Sequence, residues 1–200
     1  IIDEGQTDQV EVDEFVDQAE KKLFEISQNK KRSGFVSTAE LATETIKIIE
    51  TLTTRKMAIT GIASGFKKLD KMTAGFQNSD LIIIAARPGM GKTSFSLNIV
   101  MHAGLAHGLK VGFFSLEMAK EQLMMRMLSA KSKLNFGKIR TGFLSDSEFQ
   151  KTVAAAETLQ RANIFIDDTP ALTSLDLRSR TRRLKSDKGI DILIVDYLQL

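Results

Sequence analysis

The chain has 200 residues, 42% hydrophobic and 26% charged, which is the balance of an ordinary globular domain with room for an extension. It holds no cysteine, which excludes disulfides and cysteine-held metals within it, and no apolar run approaches the roughly 20 residues of a transmembrane helix. The net charge of +3 hides an asymmetry: residues 1–29 carry −7 and the rest +10, and a basic body suits a polyanion such as nucleic acid, although charge alone gives only non-specific attraction.

After a polar, acidic lead-in over residues 1–11, Val12, Phe15, Val16, Ala19, Leu23 and Ile26 fall at helical spacing. Residues 29–34 (NKKRSG) break that pattern and read as a link. Ser37 followed by Glu40 predicts a capping box, with Val36 and Leu41 placed as a hydrophobic staple. Leu41, Thr45, Ile48, Ile49 and Leu52 then line a narrow apolar face. That stripe needs cover, either from its own domain or from a neighbouring subunit, and the pattern does not choose. Gly61, Gly65, Gly75 and Asn78-Ser79-Asp80 punctuate residues 58–80, where the chain sets up the core.

From Leu81 to Ala86 an apolar run passes into a tight loop, then into GKT and an apolar-periodic segment. This order predicts a buried strand, a phosphate cradle and a helix start. Backbone N–H groups of such a loop form an anion nest, and the helix turns its positive dipole end toward the same anion. Lys92 supplies charge to the β- and γ-phosphates, and Thr93 a hydroxyl to magnesium. The pattern G-x-x-x-x-G-K-[ST] is kept except at its first glycine, which is Ala86. Gly89 and Gly91 still permit positive φ. The nucleotide-binding loop is therefore read as Ala86, Arg87, Pro88, Gly89, Met90, Gly91, Lys92, Thr93 and Ser94.

Thr93 to His107 reads as a helix that Gly108 stops. His102 and His107 lie on it or just past it and read as surface or packing residues, not metal ligands. Val111 to Leu116 is a second buried strand, ending in Glu117. A Leu- and Met-rich helix follows over 119–131, then a loop over 135–144. Ser145 with Glu148 predicts a second capping box, opening a helix to about Ala162. Ile164 to Ile166 is a short strand stopped by Asp167-Asp168-Thr169-Pro170. Ser174 to Ser186 is a helix bearing Arg178, Arg180, Arg182, Arg183 and Lys185. Ile190 to Val195 is the last strand, ending in Asp196.

Strands alternating with helices predict a doubly wound, mostly parallel α/β sheet with ligands at the carboxyl ends of its strands. Gly89 to Thr93, Glu117 and Asp196 all fall there. Hydrolysis of a nucleoside triphosphate needs phosphate binding, a metal, an activated water and charge neutralisation. Asp196 closes ILIVD as a Walker B aspartate does and reads as a magnesium ligand. Glu117 either orients the attacking water or caps the next helix; spacing alone leaves both open. Asp167 and Asp168 also follow a strand, but DDTP reads as a turn. Arg178, Arg182 and Lys185 share one helix face. With one tyrosine and no tryptophan there is no base-stacking platform in view, and that face reads as solvated surface or a subunit contact.

FEISQNKKRSGF, TGIASGFKKLD, TAGFQNSDLIIIAARPGMGKT, FFSLEM, RTG, IDDTP, RRLK and IVDYLQL follow in this order. Over nearly its whole length the chain thus resembles the DnaB-type replicative DNA helicases of bacteria and their phages, a family that tolerates Ala at the first P-loop glycine. The resemblance implies a RecA-like P-loop NTPase domain over 58–200, truncated at its C-terminus, preceded by a helical linker region over 1–57 with the linker helix at 37–54. It implies a homo-hexameric ring around single-stranded DNA in the bacterial cytoplasm, with ATP and magnesium driving 5′-to-3′ translocation at the replication fork. Lys92 and Thr93 match the Walker A lysine and threonine, Glu117 the catalytic glutamate of SLEM, and Asp196 the Walker B aspartate. The linker helix is implied to dock on the neighbouring subunit. Contacts to primase and to the helicase loader are implied to lie in parts outside these residues, as are the γ-phosphate sensor, the DNA-contacting loops and the arginine finger. Ile1 and Leu200 read as cut ends of a longer chain. In the family, the strand after DYLQL lies between the P-loop strand and the Walker B strand, so the strands ending in Ala86 and Asp196 are expected not to bond each other. Two other readings stand beside the helicase: a nucleotide- and subunit-binding piece without turnover, and a RecA-like recombination or repair ATPase, which the linker helix and RTG…DDTP disfavour.

Overall fold

The computed structural model describes Lys22, residues 37–55 and residues 59–197. The acidic helical pattern at 12–28, the link at 29–34 and Val36 of the staple lie outside the described residues. The chain divides into two compact units, Ile1–Lys56 and Met57–Leu200.

The first unit contains helix α1 (Thr38–Arg55). Five of its threonines, from Thr43 to Thr54, turn their hydroxyls onto backbone carbonyls one turn back. Its apolar stripe, including Leu41, Ile48, Ile49 and Leu52, is exposed, with Ile48 at 59%.

The second unit begins with an antiparallel bridge between Ile62 and Phe76 that encloses the short helix α2 (Lys67–Thr73). Asp70 anchors this region. Its buried carboxylate accepts Ser64 Oγ at 2.6 Å, Ser64 N at 2.7 Å and Gly65 N at 3.2 Å. Phe66 stacks on Phe95 of the following helix, centroids 4.7 Å apart. That helix, α3 (Lys92–Met101), runs into a π turn at His102–Ala106 and ends where Gly108 takes φ 64°.

Three parallel strands, β1 (Val111–Ser115), β2 (Ile164–Asp167) and β3 (Ile192–Asp196), form a sheet of order β2-β1-β3. Between β1 and β2 come α4 (Lys120–Ser132), α5 (Phe136–Thr141) and α6 (Asp146–Gln160); α7 (Ser174–Asp187) joins β2 to β3. The central strand β1 is buried at every residue, as a strand covered on both faces must be. On one face Val111 and Phe113 pack with Leu97, Val100, Ala103, Leu123, Met127 and Leu159. On the other, Gly112 leaves room for Leu184 of α7 and Leu193; a Cβ there would lie 3.1 Å and 2.9 Å from their methyls. Fully burying side chains such as Phe113, Leu123 and Val100 contributes about 1.5–3 kcal/mol each.

The capping box at Ser145 and Glu148 forms as read from the sequence. A second one, Thr173 with Asp176, opens α7. Residues 135–144, read as a loop, contain α5, whose start is capped by the Asn135 side chain accepting Gly137 N.

One expectation fails. Leu81 to Ala86 is not a buried strand: the segment has no ladder partner among the described residues, and Leu81 and Ile83 are 84% and 74% exposed. An apolar run becomes a strand only where another strand meets its N–H and C=O groups. The described strands are β2, β1 and β3, and neither edge of their sheet reaches this segment. The segment is not hydrogen-bonded to the strand that ends in Asp196, but since it forms no strand the expected order of strands stays untested.

Candidate functional site

The phosphate loop runs from Ala86 to Gly91 on the surface, all six residues exposed. Gly89 and Gly91 take φ 77° and 88°, in the left-handed region that other residues enter at a cost. A Cβ at either would meet nothing within 4 Å, so φ, and not space, is what calls for glycine. Met90 N donates to Arg87 O at 3.2 Å, closing the turn. Gly91 is the N-cap of α3 without a side-chain cap, so the first N–H groups of that helix stay available to an anion.

Lys92 and Thr93 start α3 and meet the end of β3. Thr93 Oγ1 donates to Asp196 Oδ2 at 2.6 Å, and Lys92 Nζ lies 3.1 Å from Asp196 Oδ1. Asp196 is only 4% exposed. Its Oδ1 receives no directed hydrogen bond, so among the described residues the ammonium of Lys92 is what compensates it. The ammonium in turn sits 4.1 Å from the centroid of the Tyr197 ring, a cation–π contact that holds it over the carboxylate. A buried carboxylate oxygen without a directed donor, beside a threonine hydroxyl, is a hard oxygen set that fits magnesium. Among the described residues no cluster of three or more His, Asp or Glu side chains is built to hold a metal by itself. Any magnesium here would therefore share its coordination with water and phosphate.

Glu117 stands at the same end of the sheet. Ser115 pairs in register with Asp196, and Leu116 N donates to Asp196 O at 2.8 Å. Ser115 Oγ donates to Met118 O at 2.6 Å and accepts Met118 N at 3.2 Å, clamping the turn. Glu117 is exposed at the tip of that clamped turn. Ser94, next on α3, is exposed and borders a cavity of about 220 Å³ with Leu97, Asn98, Arg126 and Phe136.

Asp167 and Asp168 form the turn expected of DDTP. Asp167 accepts Thr169 N, Thr169 Oγ1 and Arg180 Nη1. Burial pushes its pKa up, but these bonds outweigh that and hold it below the usual carboxylate value. Asp168 accepts the backbone N and Nζ of Lys120, which lower its pKa in the same direction. The basic helix is likewise engaged: Arg180 with Asp167 and Thr169, Arg183 with Asp187, Lys185 with the Ile190 carbonyl, and Arg178 and Arg182 with other groups.

Sequence reasoning missed Tyr197 and Ser115. The signals were present as the aromatic directly after ILIVD and the serine directly before LEM.

Residues 61–200 match the family model of the DnaB-like helicase C terminal domain. The replicative DNA helicase DnaB of Geobacillus stearothermophilus is 44% identical over all 200 residues, which span 44% of that relative's length. A solved ATPase domain superposes with a TM-score of 0.72 at 30% identity, covering 82% of this chain and 58% of that one. A solved DnaB-like replicative helicase, described with its interactions with primase, gives a TM-score of 0.70 at 28% identity, covering 90% of this chain and 43% of that one. The fold is that of a RecA-like ATPase domain, and the chain spans less than half the length of the curated relative it matches. The chain belongs to the DnaB-like helicase family, with residues 61–200 in the family's C-terminal domain.

Proposed function

We propose that this chain carries the ATP-hydrolysing motor of a replicative DNA helicase, with residues 58–200 as motor domain and 1–57 as linker region. The observation that carries this reading is the pairing of Lys92 and Thr93 with the buried Asp196. It joins a phosphate loop to a strand-end carboxylate, as nucleotide hydrolysis by this class of site requires. On binding ATP, the N–H groups of the 86–94 loop take the phosphates, and Lys92 moves its charge from Asp196 to the β- and γ-oxygens. Thr93 and Asp196 hold magnesium, which when bound neutralises charge developing on the phosphates. Glu117 orients the attacking water and accepts its proton. The protein is proposed to work as a homo-hexamer on single-stranded DNA in the bacterial cytoplasm, α1 seating its apolar stripe on the next subunit. Primase and a helicase loader are proposed to bind parts outside these residues.

The test compares ATP turnover with and without single-stranded DNA in the full-length wild type and in Glu117→Gln. Stimulated turnover in the wild type and a loss of about 10²–10⁴-fold in the variant are expected for a lost general base. Turnover that DNA does not stimulate and the substitution does not change would sink the motor reading. Strand displacement on substrates with defined tails separates a helicase from a recombination or repair ATPase.

The unpaired segment at 81–86 favours a second reading for residues 1–200 taken alone. With its phosphate loop held from one side only, this piece binds nucleotide without turning it over. Tight nucleotide binding with no hydrolysis by the piece, beside hydrolysis by the full-length protein, is the expected pair of results.

A further inference from the structure

His102 and His107 stand five residues apart across the π turn that ends α3. An i→i+5 turn brings such residues onto one side, and insertions of this kind recur at functional sites. The two Nε2 atoms lie 3.2 Å apart, with ring centroids 4.9 Å apart and ring planes at 77°. Two imidazoles bound to one zinc at about 2.0–2.1 Å in tetrahedral geometry place their nitrogens about 3.3 Å apart and their centroids about 5 Å apart. Both spacings match.

The inner ring is fixed in place. Gly65, at φ 86°, lies so close that a Cβ there would come within 2.7 Å of His102 Cγ. The buried carboxylate of Asp70, which accepts Gly65 N at 3.2 Å, is near enough to His102 for the two to interact electrostatically. Burial raises that group's pKa, but hydrogen bonds from Ser64 and Gly65, together with the nearby His102, bring it below the usual value. A carboxylate near the ring favours a bound cation by Coulomb attraction. His107 is exposed, so the outer coordination positions open to solvent.

We propose that His102 and His107 form a two-imidazole site for a divalent transition metal of the zinc class, completed by water. No third His, Asp or Glu joins them among the described residues, so water fills the remaining positions and binding is weaker than at a site with three or four protein ligands. Each ring would offer its Nε2 lone pair to the metal. The proposal goes beyond the reading of the two histidines as surface or packing residues, and it is independent of the nucleotide site.

The test is a zinc titration against a chromogenic chelator, on nucleotide-free full-length protein with magnesium in excess to cover oxygen-ligand sites. The comparison is between wild type, His107→Ala and His107→Gln, with circular dichroism to verify folding. The wild type is expected to bind one more equivalent than His107→Ala, or to bind that equivalent at least about tenfold more tightly. His107→Gln, which puts a polar amide in place of the imidazole, is expected to follow His107→Ala. With copper(II), paramagnetic resonance should show two nitrogen ligands in the wild type and lose that pattern in both variants. Equal zinc binding in wild type and His107→Ala, or no uptake by the wild type at roughly 100 µM metal, would leave the pair as hydrogen-bonded packing and overturn the proposal.

Discussion

Two buried aspartates organise the second unit, and they do so differently. Asp196 is short of donors: a threonine hydroxyl, a lysine ammonium and an aromatic face converge on it, and one oxygen still lacks a directed bond. Such a group is tuned to exchange partners. Asp70 is fully served, with three hydrogen bonds from Ser64 and Gly65. Removing its carboxylate leaves the buried Ser64 N–H without an acceptor. Asp70→Ala should therefore cost about 2–3 kcal/mol, read as a lower urea midpoint at unchanged slope. An unchanged midpoint would show that the 59–76 region is not anchored there. Because the Asp70 pKa is lowered on folding, its contribution is complete above the ordinary value of 3.8 and is lost as pH falls through the lowered one. Lys92, Thr93 and Asp196 were legible in the sequence because phosphate and metal chemistry fixes residue type and place in a strand–loop–helix order. Asp70 carried no such mark, and the role of Tyr197 arises from Lys92, a partner that only the folded chain brings near.

At the level of elements, local signals served best where both partners are near in sequence. The capping box of α6 is an example: Ser145 Oγ accepts Glu148 N at 3.3 Å, and Glu148 reaches back to Ser145 N at 3.0 Å. Ser145→Ala should destabilise the protein by about 1 kcal/mol, measured by denaturant or thermal unfolding, with Ser145→Gly milder. The hydrogen bond from Lys138, with that from the Ser145 backbone, brings the Glu148 pKa from 4.5 to about 2. Between those values the unfolded chain binds more protons than the folded one. The stabilisation by Glu148 is thus whole above pH 4.5 and disappears as pH falls through about 2; Lys138→Met should flatten that acid dependence. Elements whose partners are distant were less legible. The run from Leu81 to Ala86 carries the composition of a buried strand, yet burial is a property of neighbours, and no described strand supplies them. Helix α5 was missed because six residues give too little periodicity, leaving Asn135 as its one mark. The π turn at 102–106 has no sequence signature apart from its glycine and one histidine.

At the scale of the molecule, the clearest unmet need is the stripe on α1. Leu41, Ile48, Ile49 and Leu52 stay about half exposed, and completing their burial would add on the order of 1 kcal/mol each. A charge placed there should block assembly without unfolding the protomer. Ile49→Glu in the full-length protein, with ATP and magnesium, is expected to shift mass from ring to smaller species in native mass spectrometry. The melting of the protomer should move little, since an exposed position tolerates such a change to within about 0.5 kcal/mol. A ring of unchanged size and abundance would show that α1 is not the joint. Sequence pattern alone found the stripe but left its cover undecided, because amphipathicity states that a face needs burial and not against what.

The bond between Thr93 and Asp196 also closes a loop of 103 residues. Contacts of such separation form late, since the chain must first give up the entropy of closing the span. The phosphate loop can be made early, from local turns, but its carboxylate partner is the last residue of the last described strand. A ligand held by both therefore stabilises only molecules in which the whole span has folded, and by an amount that grows with its concentration over its dissociation constant. Nucleotide, on the proposed reading, is thus a check on completed folding before it is a fuel.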